Sequence, residues 1–169
     1  GTWDDIVKYI CGSRLERGWV LGSTAAYQSV SSWYILAEIV RRLDGRNFEK
    51  YVREEIFIPL SMNDCWISMS DDDISGYGQR LASVYDTKGL VPNRISKYDD
   101  IKAVRRCVPG ASGRGPARQL GFFYEALLMG GEWNGSRILL SQTVEALVAR
   151  HRTAQYDKTF KHVIDWGLG

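Results

Sequence analysis

Ala26-Tyr27-Gln28-Ser29-Val30-Ser31-Ser32-Trp33-Tyr34-Ile35-Leu36-Ala37-Glu38-Ile39-Val40, continued by Arg41-Arg42-Leu43-Asp44-Gly45, is the stretch around which the chain is organised. Ser29 to Ser32 offer several capping hydroxyls, and Trp33, Leu36, Ile39, Val40 and Leu43 then recur at the spacing of one helix face. Gly45 stands where a left-handed residue closes a helix. The spacing predicts a helix beginning near Ser29, with Ser29 or Ser31 as its cap. Asn47 can cap a further helix with the apolar face Phe48, Tyr51, Val52 and Ile56, stopped by Pro59. With only Asp44 to Arg46 between them, the two helices must form a tight pair.

Working outward, Thr2 is a good N-cap with Asp5 three residues on, and Ile6, Val7 and Ile10 follow at helical spacing, predicting an opening helix to about Cys11. Between Ser61 and Val108 the pattern changes. Cys65 to Met69 and Arg80 to Tyr85 alternate like short strands, and Asn63-Asp64, Asp71 to Asp73, Gly76, Gly78 and Lys88-Gly89 read as turns. Helical spacing returns after Gly115-Pro116, with proline suited to the first helical position and Leu120, Phe123, Tyr124, Leu127 and Leu128 forming a stripe that ends at Gly130-Gly131. Asn134-Gly135 is a turn signal, Ser141 can cap a last helix through Val144, Leu147 and Val148, and Val163 to Leu168 reads as a strand. Helices, irregular strands, helices and a closing strand favour an α+β class over a doubly wound sheet. Neither a repeat nor a dividing linker is visible.

Composition narrows the function classes. The chain has 169 residues, 44% apolar and 25% charged, and 22 basic against 20 acidic side chains leave a formal charge of +2. So even a balance argues against wholesale binding to nucleic acid or an anionic membrane. The longest apolar run, Trp33 to Ala37, falls far short of the ~18 to 20 residues of a membrane span. Cys11, Cys65 and Cys107 are odd in number and widely spaced, and His151 and His162 are the only histidines, so neither a disulfide framework nor a zinc site is expected. Asp71 to Asp73 lack other ligands at metal spacing, and no cofactor motif is present. The start at Gly1-Thr2-Trp3, without a basic and apolar leader, reads as a cut edge and leaves localisation open.

The run Ala26 to Val40, with Asp44-Gly45-Arg46, Tyr51-Val52 and Ile56-Phe57-Ile58-Pro59-Leu60-Ser61-Met62-Asn63-Asp64, resembles one block of the serine β-lactamase-related family: class C β-lactamases, penicillin-binding-protein-like peptidases and related esterases. There a Tyr-x-Asn motif precedes a helix, a glycine turn and a second helix ending in Phe-x-Pro-Leu-Gly-Met. Pro109-Gly110-Ala111-Ser112-Gly113 through Arg118-Gln119-Leu120, then Gly130-Gly131-Glu132 and Leu140-Ser141-Gln142-Thr143-Val144-Glu145, is similar to the family's Pro-x-Gly-Gly loop and the segments after it. Trp166-Gly167-Leu168-Gly169 looks like its Tyr-Gly-Leu-Gly strand. The blocks are collinear from about Trp3 to Gly169. The resemblance implies that residues 1–169 are a single partial domain, the mainly helical part of a β-lactamase/transpeptidase-like α+β fold, with short strands. The helices around Trp33 and Leu120 are then expected either to face each other or to leave an apolar patch, since the sheet they would pack on is not in the chain.

The family's catalytic set is a Ser-x-x-Lys nucleophile, the Tyr motif and a Lys-Thr-Gly or His-x-Gly strand. Serine is an unactivated alcohol and needs a neighbouring base, and a phenol titrating near ~10 acts as one only where cations or dipoles favour its phenolate. No serine here has Lys three residues on, and Lys158-Thr159-Phe160 carries Phe where the strand needs Gly. By resemblance Tyr27 is the general base that passes a proton from nucleophile to leaving group. Ser29, where the family more often carries Asn, is the substrate-binding position, with one hydroxyl where an amide donates and accepts together. That departure weighs against lactam recognition more than against ester cleavage. Taken without the family, Tyr27 is an aromatic staple packing on the helix behind it.

Arg105, Arg106, Arg114 and Arg118 flank the glycine-rich loop, as a solvated basic rim or as a site for a substrate carboxylate. The expectation is an internal piece of a serine hydrolase cleaving an ester, amide or lactam through an acyl-enzyme, inert by itself. Its partner is a small acyl substrate in the complete protein, with neither nucleic acid nor a membrane span, and with self-association of the isolated piece. The rival expectation is a non-catalytic helical interaction module derived from that fold.

Overall fold

The computed structural model describes residues 1–168. Thr2 caps α1 (Trp3–Gly12) as its sequence suggests: the Asp5 N–H donates to the Thr2 hydroxyl and the Thr2 N–H to the Asp5 carboxylate, so two orphan donors of the first turn are satisfied reciprocally. α1 packs on α2 (Ser31–Asp44), with the rings of Trp3 and Tyr34 5.0 Å apart. At this contact Glu38 is buried, which a carboxylate tolerates only when paired. Arg41 and Arg42 each donate to it at 2.7 Å and Trp3 Nε1 at 2.8 Å, and these bonds, in that order, hold its pKa down to about 2.

The start of α2 departs from expectation. Val30 is the N-cap, at φ −131° and ψ −62°, and no side chain caps the helix. Neither Ser29 nor Ser31 plays that part, because Val30 lies outside the extended region from which a capping group reaches back. At the other end Gly45 adopts φ 89°, and its N–H bonds the Arg41 carbonyl at 2.9 Å. Arg46 ties the turn down, pairing with Asp44 at 2.5 Å and with Glu54 and Glu55 at 2.7 Å. α3 (Phe48–Val52) packs back on α2 and runs on as a π-helical turn, Arg53–Phe57.

The middle of the chain is more helical than its alternation suggests. Cys65 to Met69 forms no strand; it contributes one bridge, Trp66 to Arg114, because no extended neighbour lies beside the rest. The three aspartates expected as a turn open α4 (Asp71–Tyr77), where Ser70 and Asp73 form a second capping box and the acidic side chains suit the positive end of the helix. Arg80 lies in a 3-10 turn and only Tyr85–Asp86 (β1) pairs, with Asn93–Arg94 (β2). α5 (Ile101–Arg105), capped by Asp100, is too short to show a helical period in the sequence.

Pro116 is the N-cap of α6 (Ala117–Leu128), one position earlier than read. Beyond it Glu132–Trp133 (β3) and Ser136–Arg137 (β4) close around Asn134-Gly135, whose φ values of 48° and 80° are those of a tight hairpin turn. Leu60, Met62, Cys65 and Ala126 are buried together between α6, this hairpin and the segment after the π turn, with Phe57, Phe122, Phe123 and Trp133 packed around them. α7 (Ser141–Val148) has Leu140 at its N-cap, and the Ser141 hydroxyl turns instead to the Gly130 carbonyl. Arg152–Asp157 (β5) and His162–Trp166 (β6) pair antiparallel, the second covering most of the expected closing strand; Gly169 lies outside the described residues. Seven α-helices and three two-stranded sheets among the described residues make the chain α+β. Leu36, Ile39 and Leu43 of α2, and Leu120, Tyr124 and Leu128 of α6, are exposed, so each helix leaves an apolar stripe in solvent.

Candidate active site

Tyr27 lies three residues before the N-cap of α2, in a segment that reaches across the molecule to the β5–β6 hairpin. Ala25 forms a parallel bridge with Asp157, and its carbonyl accepts from the Lys158 N–H at 2.9 Å. The Tyr27 N–H donates to Asp157 Oδ1 at 3.2 Å, and the Tyr27 carbonyl accepts from the Thr159 hydroxyl at 3.1 Å. Its ring, 42% exposed with the rest of the residue, stacks on Trp166 at 5.8 Å between centroids and tilts against Phe160 at 5.4 Å. Among the described residues the Tyr27 hydroxyl has no hydrogen-bond partner. Tyr34 and Tyr77 differ: their hydroxyls donate to the Cys107 carbonyl at 3.2 Å and to Asp64 at 2.6 Å, and burial raises both pKa values. Those two phenols are held as donors, whereas the Tyr27 oxygen is free to meet another group.

Asp157, which sequence reading passed over, is wholly buried. Burial pushes its pKa up, but N–H bonds from Phe160, Thr159 and Tyr27 and the guanidinium of Arg152 outweigh it, so the net shift is downward. Its local signal was the Asp-x-Thr-Phe spacing of a side-chain-closed turn. Its bond to Tyr27, 130 residues away, had none.

Ser29 is exposed, and its main chain meets the glycine-rich loop: a Cβ on Gly110 would collide with the Ser29 carbonyl and the Trp33 ring. Only glycine allows that approach. The same loop, Ala111 to Pro116, forms one wall of a groove of about 720 Å³ whose other walls include Trp66, Tyr77, Val84 and Ile95. Tyr27 does not line it. The four arginines around the loop turn to separate tasks: Arg105 pairs with Asp71, Arg114 Nη2 donates to the Tyr98 carbonyl at 2.6 Å, Arg106 lines a smaller cavity of about 350 Å³, and Arg118 is exposed. They build no shared anion site.

Neither the buried Cys65 nor the half-buried Cys107 is an activated nucleophile. Burial, helped by Glu49, pushes Cys107 up to about 12, and burial also raises Cys65. Among the described residues no three His, Cys, Asp or Glu side chains are grouped to hold a metal ion, and no helix is long and apolar enough to cross a membrane.

Comparison with solved structures gives the fold a wider frame. A penicillin-binding protein homologue from Caulobacter crescentus superposes with a TM-score of 0.77 at 24% identity, over 99% of this chain and 47% of that one. A family VIII carboxylesterase gives 0.75 at 22%, over 88% and 42%. The octameric penicillin-binding protein homologue from Pyrococcus abyssi gives 0.56 at 14%, over 92% and 36%. The chain thus spans less than half the length of each of these structures, and at such identities the likeness is one of fold. A search among curated proteins finds no significant match. The sequence profile described as Beta-lactamase, however, matches residues 2–169, the span over which the tyrosine segment, the glycine loop and the closing hairpin follow one another, and the chain belongs to that family.

Proposed function

We propose that residues 1–169 are a single partial domain of a serine hydrolase that cleaves an ester, amide or lactam through an acyl-enzyme, with Tyr27 as its general base and Ser29 at its substrate-binding position. The observation that carries this reading is the state of Tyr27: a phenol at the family's tyrosine position, its main chain tied down on both sides and its hydroxyl unengaged. A base must be held in place yet keep its reacting oxygen available. The nucleophile is supplied outside these residues, since no serine within them has a lysine one helical turn on. The substrate is a small acyl compound, and Ser29 in place of an amide favours esters. Relatives that include a carboxylesterase and penicillin-binding protein homologues agree with that range.

In the complete polypeptide, Tyr27→Phe should lower kcat on an ester by about 10²- to 10⁴-fold with the melting temperature almost unchanged, since only a proton-handling oxygen is removed. Full activity in that variant would return Tyr27 to the role of a packing aromatic. The exposed stripes on α2 and α6 support self-association of the isolated chain, and they also favour a second reading, a non-catalytic helical interaction module. The two readings part on chemistry: a module forms no acyl adduct in any length of the protein.

A further inference from the structure

We propose that Asp157 is the positioning residue for Tyr27, fixing both its main chain and the aromatic shelf on which its ring rests. The carboxylate is fully buried and gathers four donors. Oδ1 accepts from the N–H groups of Thr159 at 2.9 Å, Phe160 at 3.1 Å and Tyr27 at 3.2 Å, and Oδ2 accepts from Arg152 Nη2 at 3.1 Å. The first two bonds belong to the hairpin tip, which the Asp157 carbonyl also closes through the Lys161 N–H at 2.8 Å. A turn needs nothing more. The third bond serves no local purpose, because it leaves the hairpin and takes hold of Tyr27.

The fourth bond closes a circuit. Arg152 is turned by Asp157 so that its guanidinium lies 5.5 Å over the Trp166 ring, and Trp166 is the ring on which Tyr27 stacks. Phe160, whose N–H is bound to the same oxygen, presents its own ring to Tyr27 from the side. One carboxylate therefore sets the Tyr27 backbone directly and the ring through two neighbours. Asparagine cannot replace it: the amide oxygen could keep the three N–H bonds, but its NH2 would face the Arg152 donor. Alanine would remove all four bonds. The role assigned to Asp157 rests on the general-base reading only for its consequence in catalysis; the pinning of Tyr27 stands on geometry alone.

Two measurements separate these. In the 169-residue chain, hydrogen exchange resolved by residue should show the Tyr27 amide exchanging at least about tenfold faster in Asp157→Ala, the equivalent of a lost hydrogen bond, while α6 amides keep their rates. Should Asp157→Ala fail to fold, Asp157→Asn gives the same reading in milder form, since a neutral amide oxygen accepts more weakly from the Tyr27 N–H than a carboxylate does. Its NH2 also faces the Arg152 donor and disturbs that pair. In the complete polypeptide, Asp157→Asn should lower kcat on an ester about tenfold or more with KM little changed, and should cost nothing further in a Tyr27→Phe background. Unchanged exchange at Tyr27 in the Asp157 variants that fold would overturn the pin, and losses that add in the double variant would overturn its action through Tyr27. Accelerated exchange together with full turnover by Tyr27→Phe would sink the general-base reading and leave the pin standing.

Discussion

Two carboxylates buried for different ends show what single residues do in this chain. Glu38 joins α1 to α2 through Arg41, Arg42 and Trp3, whereas Asp157 joins two distant segments at the candidate site. Because the Glu38 pKa is depressed in the folded chain to about 2, the proton-linked stability it contributes is fully present above the pKa of an unfolded glutamate, about 4.3, and is lost as pH falls towards about 2. Urea unfolding of the native chain and of Glu38→Gln between pH 2 and 6 should therefore give stability curves that converge as the medium becomes acidic; parallel curves would show that the ion cluster contributes nothing. Ser29 invites a different test. On the proposed reading its short hydroxyl carries donor and acceptor on one atom where an amide spreads them over two, so Ser29→Asn in the complete polypeptide should raise kcat/KM for an amide or lactam relative to an ester by about 3- to 10-fold, the worth of one hydrogen bond. A ratio that does not move would take Ser29 out of the substrate site.

At the scale of elements, the close seat of the glycine-rich loop on the start of α2 links the groove to the tyrosine segment. Gly110→Ala must displace either the Ser29 carbonyl or the Trp33 ring and should cost about 1–3 kcal/mol, while Gly113→Ala, whose new methyl would find only Ile67 Cδ1 at 4.0 Å, should be nearly neutral. Equal effects in denaturant melts would deny the contact. The elements legible in the sequence were those whose determinants sit within a few residues: the Thr2–Asp5 box, Gly45 closing α2, and Asn134-Gly135. α4 carries the same Ser-x-x-Asp box at Ser70, yet seven residues hold too few apolar positions to show a period, so it reads as a turn. α5 is shorter still. The alternation in Cys65 to Met69 misleads for another reason: it reports the burial of Cys65 and Met69, while the segment meets no partner strand beyond the single bridge from Trp66 to Arg114. Of the candidate site, Tyr27 and Ser29 were legible through their place in a family pattern, and Asp157 was not, because its meaning lies in a bond to a residue 130 positions away.

Taken whole, the molecule combines a small buried core with helices that keep apolar faces in solvent; Leu43 is 84% exposed and Leu128 80%. Elements with one apolar stripe are built to be covered, and the relatives of known structure are more than twice as long as the part of them this chain matches. On the proposed reading the chain holds the base and its positioning apparatus but not the nucleophile. Intact-mass analysis after exposure to a fluorophosphonate or a penicillin tests this most directly. The 169-residue chain should gain no adduct, and the complete polypeptide should gain one, mapped to a serine outside residues 1–169. Stoichiometric labelling of any serine within residues 1–169, or an unlabelled complete polypeptide, would contradict the account.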